Sequence, residues 1–180
     1  SPRMLKDAGC SYVIVGHSER RHIFGETDDD VAKKARAALD HGLRPIICVG
    51  ETLEEREDGK TADVVSQMVE AAFSLVRPEE ILYCTVAYEP YWAIGTGKEA
   101  RPDDAQEVVL GIRGKIDDLY KEDLSGDLRV LYGGSVKSAN VRSFMSRECI
   151  DGVLVGGASL DPDEFFKIVE EGYKARRQFL

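Results

Sequence analysis

The chain has 180 residues, 43% of them hydrophobic and 32% charged, with a formal net charge of -9. That length suits one domain spanning 1–180, and the acidic balance argues against nucleic acid or an anionic membrane surface as partner. The longest apolar runs, such as 45–49, are far too short to span a bilayer, no signal peptide is visible, and Cys10, Cys48, Cys84 and Cys149 form no CxxC pair; this reads as thiols in a reducing cytoplasm, without a disulfide framework, a metal site or a cofactor.

Ser1-Pro2 makes a good helix start, with Ser1 as N-cap and Pro2 in the first turn. That helix runs through Asp7, ends at Gly9 and feeds a strand, so the opening looks like the middle of a larger fold. Short apolar runs at 12–15, 44–49, 82–88, 128–132 and 152–155 predict five strands. They are nearly continuous in hydrophobicity, as parallel strands covered on both faces are. Helical periodicity lies between them. Residues 28–39 place Val31, Ala35, Ala38 and Leu39 on one face. Residues 61–75, capped by Thr61, bury Val64, Val65, Met68, Ala72 and Leu75. Residues 103–120 repeat at Val108, Ile112, Ile116 and Leu119, and 162–173 at Phe165, Phe166, Val169 and Tyr173. Strand and helix alternate throughout, which predicts right-handed βαβ units on a parallel sheet.

Chemistry in such folds sits on the loops after the carboxyl ends of the strands. One of these loops dominates the sequence. Glu89 emerges behind Val86-Ala87-Tyr88; Pro90 stops strand pairing; Trp92 and Ile94 give the loop an apolar body; Gly95 and Gly97 supply backbone freedom, ahead of Lys98. A base carried on an apolar lid is how an enzyme keeps water from a reactive intermediate. A solvated surface loop would be polar where this one is not. His17 is delivered by the first strand to the same rim, so a carboxylate and an imidazole form an acid–base couple. His22, among charges, and His41, near a helix end, read as solvated. Gly133-Gly134-Ser135 and Gly156-Gly157 follow the last two strands. Each alone reads as a tight turn; together they suit a phosphate cradle of backbone N–H groups.

Residues 15–21 (VGHSERR), 48–51 (CVGE), 87–98 (AYEPYWAIGTGK), 132–136 (YGGSV) and 151–160 (DGVLVGGASL) stand in the order of triosephosphate isomerases, and the whole chain resembles that family. The resemblance implies a partial TIM (β/α)8 barrel: five parallel strands with helices outside, the later five of eight units, not closed within one chain. It implies interconversion of dihydroxyacetone phosphate and glyceraldehyde 3-phosphate through an enediolate, in glycolysis and gluconeogenesis, without a cofactor or metal. It implies Glu89 as base and His17 as neutral electrophile. This family is itself the standard worked case of such tuned groups, so these roles come with the resemblance. Ser18 would hold the base, Glu19 would stand beside a catalytic lysine, and Glu51 would contact Trp92. Tyr132 and Ser135 would latch the lid of Pro90, Trp92, Ile94, Thr96, Gly97 and Lys98. Gly95, Ser135, Gly156 and Gly157 would bind the phosphate. The sequence departs from the family at two points. Tyr91 replaces a smaller aliphatic residue, and no Asn-x-Lys occurs, since the only Asn, Asn140, precedes Val141 and Arg142. Lys98 and Lys137 lie on the same rim, but the family gives neither the lysine's role. Absent or much reduced activity is therefore expected of these 180 residues alone. A phosphate-binding remnant without turnover and a self-assembling structural fragment are the alternatives. Bare edges at the first and last strands should promote self-association, with Val13, Val15, Ile47, Val86 and Val153 expected to lose their facing layer.

Overall fold

The computed structural model describes residues 1–93 and 100–179. Helix α1 (Pro2–Asp7) begins at the Ser1 cap and leads into β1 (Tyr12–Val15). Next come α2 (Ser18–Phe24), α3 (Asp28–Asp40), β2 (Arg44–Val49), α4 (Leu53–Glu57) and α5 (Thr61–Phe73). A 3-10 turn at Pro78–Tyr83 precedes β3 (Thr85–Tyr88). The chain continues through α6 (Pro102–Tyr120), β4 (Arg129–Tyr132), α7 (Val141–Met145), β5 (Gly152–Val153) and α8 (Pro162–Arg176). All strand pairs are parallel, and spatial order equals chain order, β1-β2-β3-β4-β5. Strands β1 and β5 are the two edges of this sheet, and the barrel is not closed.

Helices cover one face of the sheet. Val15, Ile47, Val49, Val86, Tyr88, Val130 and Tyr132 join Val31, Val65, Phe73, Ile112, Ile116, Phe144 and Ile168 in one buried cluster. Side chains alternate across a strand, so the other set faces the hollow of the incomplete barrel: Ile14, 46% exposed, with Ile46 and Leu131 half-buried. The sequence reading assigned the opposite parity. Val15, Ile47 and Val86 do not lose their facing layer; they are buried in the core. Continuous apolar runs carry no parity signal, which is why the two faces were interchanged.

Four further expectations are corrected. The third strand starts at Thr85, not Leu82, because Leu82 and Tyr83 lie in the 3-10 turn that Pro78 opens. The apolar stripe of α8 is not buried. Phe165, Phe166, Val169 and Tyr173 are exposed, and Ile168, Gly172 and Ala175 form the inner side instead. This stripe lies beside the bare β5 edge, where no further layer covers it. Leu75, beyond the end of α5, is likewise exposed, and α5 is preceded by Lys60 without a side-chain cap, so Thr61 does not cap it. Among the described residues no helix is long and apolar enough to cross a membrane, and no group of His, Cys, Asp or Glu is arranged to hold a metal.

Candidate active site

Glu89 leaves the end of β3 and is 1% exposed. Its place is fixed by backbone: its N–H donates to Val49 O, and the Gly133 N–H donates to Tyr88 O. Two glycines leave room for it. A Cβ on Gly50 would stand 1.8 Å from Glu89 O, and one on Gly133 would stand 2.9 Å from Glu89 Cγ. No other residue type fits that approach without displacing the strand end.

His17 caps α2, whose first turn brings the imidazole over the carboxylate. The Glu19 N–H donates to His17 Nδ1 at 3.3 Å. An accepting Nδ1 leaves the proton of the neutral ring on Nε2, and Nε2 lies 3.4 Å from Glu89 Oε1. The Ser18 contact to Glu89 runs through the backbone, with Ser18 N donating to Oε2 at 3.2 Å. Burial pushes the Glu89 carboxyl above the usual range, against the pull of His17, the Ser18 amide, the Cys48 thiol and Arg21. The Cys48 thiol is itself raised, by burial first and then by the Glu89 charge. Glu19 is exposed and forms no ion pair among the described residues.

The loop carrying His17 is braced by groups that sequence reasoning passed over. Buried Glu26 accepts from Gly16 N at 2.9 Å and holds Arg20 and Lys34. Arg21 donates to Gly16 O at 2.7 Å and pairs with Asp28 at 2.6 Å. Glu26 lies in a charged stretch with no apolar period to reveal its burial. Arg21 was within a recognised motif, but nothing local told its bracing role from a solvated charge.

Glu51, fully buried, accepts from Trp92 Nε1 at 2.9 Å and from the Tyr88 hydroxyl at 3.1 Å. The Arg56 guanidinium stacks 4.9 Å from the Trp92 ring and bonds Asp104 at 2.9 Å. Pro90 is buried, and the Tyr91 ring meets His22 edge-on at 4.9 Å. Tyr132 is buried and stacks on Phe144 at 4.0 Å. Ile94, Gly95, Thr96, Gly97 and Lys98 lie outside the described residues.

These elements surround a cavity of about 390 Å³, bounded by His17 and Glu89 on one side and by Ser135, Gly156 and Gly157 on the other. Gly156 and Gly157 are exposed at the start of a 3-10 turn, Gly157–Leu160. Lys137 also lines this space. A larger groove, about 690 Å³, runs outside between α5 and α6. It holds no base–imidazole pair, so size alone does not locate the chemistry.

The arrangement can take a proton at Glu89, donate a hydrogen bond from His17 Nε2 and present glycine-rich turns to an anion. The family model for triosephosphate isomerase matches residues 1–172. The chain belongs to the triosephosphate isomerase family. The triosephosphate isomerase of Caldanaerobacter subterraneus subsp. tengcongensis is 54% identical over 169 residues, which are 94% of this chain and 68% of that relative. Those of Lacticaseibacillus casei, 51% identical over 168 residues, and Lactobacillus acidophilus, 52% over 169, are similar along 93% and 94% of this chain and 67% of their own length. The chain thus spans about two thirds of these triosephosphate isomerases. Like them it is of an isomerase family, built on the TIM-barrel fold.

Proposed function

We propose that Glu89 is the base that moves a proton between adjacent carbons of a triose phosphate, interconverting dihydroxyacetone phosphate and glyceraldehyde 3-phosphate. His17 Nε2–H polarises the carbonyl oxygen, and the enediolate forms between the two. Ser135, Gly156 and Gly157, with Gly95, offer backbone N–H groups to the phosphate, and Trp92 on Glu51 anchors the lid. The observation that carries this reading is the 3.4 Å approach of His17 Nε2 to a buried Glu89 whose affinity for a proton is raised. Four free cysteines, two of them buried, support a reducing cytoplasmic setting.

The 180 residues alone are proposed to turn over slowly or not at all. They contain no Asn-x-Lys, and a preorganised charge beside a developing oxyanion is worth on the order of 3–4 kcal/mol, roughly 10²–10³ in rate. That same lack favours the second reading, a phosphate binder without turnover. A coupled isomerase assay on the chain and on Glu89→Gln, with calorimetry against inorganic phosphate and phosphoglycolate, separates them. Slow turnover lost in Glu89→Gln supports the first reading. Millimolar phosphoglycolate binding without turnover supports the second. Activity equal to that of a full-length relative would refute the proposed deficit.

A further inference from the structure

The two glycine turns that bound the cavity follow neighbouring strands, yet little backbone pairing joins them. Strands β4 and β5 pair only at Leu131↔Gly152 and Tyr132↔Val153, because β5 is two residues long. The Leu154 N–H still reaches Tyr132 O at 2.9 Å. Past that bond, the hydrogen bonds between residues 133–140 and 156–164, among the described residues, all end on one side chain. Glu164, in the first turn of α8, accepts from Ser138 N at 2.7 Å with Oε1 and from Ser138 Oγ at 3.0 Å with Oε2. These bonds hold its carboxyl below the usual range. Glu164 is in turn connected to the second glycine turn. Gly156 O accepts from Ser159 N and Ser159 Oγ, and Asp161 caps α8 by accepting from Asp163 N and Glu164 N.

The first loop is also fixed from within, by Asn140. This residue stands at the N-cap of α7, where an amide side chain ordinarily takes up a free helix N–H, yet it makes no such bond. Its side chain turns back instead. Nδ2 donates to Ser135 O at 3.0 Å, and Oδ1 accepts from Lys137 N at 2.8 Å. A carbonyl held by Asn140 is not free to turn toward an anion, and the planar peptide then points the Val136 N–H the opposite way. Ser135, Val136 and Lys137 line the cavity, whereas Ser138, Asn140 and Glu164 stand behind that lining.

We propose that Glu164 and Asn140 are positioning residues of the phosphate cradle: Glu164 ties the Ser135 loop to the Gly156–Gly157 turn through Ser138, and Asn140 sets the peptide planes within that loop. Neither side chain touches the anion. The inference deepens the proposed function and rests on its phosphate cradle. Glu164 carries the wrong charge for an anion site, and this separates the two ways it could act. By charge alone, removing it would tighten anion binding. As a brace, removing it weakens binding, because loops left free have to be ordered when the anion arrives.

The test titrates the chain with inorganic phosphate and follows the amide signals of Ser135, Gly156 and Gly157 by NMR. Glu164→Ala is expected to weaken binding about tenfold although it removes a negative charge, and Asn140→Ala by a similar factor. Glu164→Gln keeps an acceptor for Ser138 N and loses the charge, so its affinity is expected at or above that of the parent. Circular dichroism checks that the variants are folded. Should Glu164→Ala unfold, Ser138→Ala, which loses only the Oγ bond, takes its place and is expected to bind more weakly than the parent; equal binding then overturns the proposal. Parent-like or tighter binding by Glu164→Ala or Asn140→Ala overturns it, and so does Glu164→Gln binding as weakly as Glu164→Ala. A parent that binds no phosphate at these amides overturns the cradle and the brace with it, whereas a parent that binds while Glu164→Ala binds equally removes the brace alone.

Discussion

Glu89 is a carboxylate kept where water cannot reach it. Its folded pKa is raised, so between the usual value of 4.5 and the raised one the folded chain binds more protons than the unfolded chain. Stability attributable to this residue therefore falls as pH rises through that window. Glu89→Gln is expected to stabilise the fold by roughly 1 kcal/mol at neutral pH, with the gain vanishing below the ordinary carboxylate range; Tm against pH for both proteins measures it, and a constant or negative difference contradicts the account. Gly50 is the complementary case. Its missing side chain makes the 1.8 Å approach to Glu89 O possible, and backbone does not yield as a side-chain tip does. Gly50→Ala is expected to cost more than about 3 kcal/mol, read by urea unfolding. The sequence announced Glu89 and His17 clearly, since each follows an apolar run. It was silent on the His17 tautomer and on Glu26, because both are set by hydrogen bonds between residues that share no pattern.

Among the elements, those with a full apolar run or several helical turns were legible, and β1 and β2 were read to the residue. Helices α2, α4 and α7 are five to seven residues long, too short to show a period. The faces were harder than the elements. Parity in β1–β3 and the stripe on α8 depend on which side is covered, and that is a property of neighbours. The link between α3 and the 3-10 turn before β3 illustrates a tertiary tie with no local signature. Arg36 bonds both carboxylate oxygens of Glu80, at 2.6 and 2.8 Å, and Arg77 adds a third bond. Those guanidiniums hold the Glu80 carboxyl well below its usual range. A depressed folded pKa stabilises above the unfolded value and is lost as pH falls. Glu80→Gln is expected to cost about 2 kcal/mol at neutral pH, with the gap to the parent narrowing in acid; equal denaturation midpoints at neutral pH would count against it.

At the scale of the molecule, one covered face and one open face stand against a net charge of -9. Charge repels copies from each other, while the β1 and β5 edges and the outer side of α8 attract them. Phe166 and Val169 are 67% and 55% exposed, and exposed apolar surface of this kind favours association. The chain is expected to self-associate in sedimentation experiments. Phe166→Ser/Val169→Ser is expected to reduce that association with unchanged circular dichroism, because neither side chain supports the core. A strictly monomeric parent would remove the basis for this expectation.

Strand order and chain order coincide from β1 to β5. No strand has to be inserted between two already paired, and each new βα unit docks on the one just before it. A ribosome therefore delivers the pieces in the sequence in which they are laid down, and the sheet can grow at one edge while the rest of the chain is still being made.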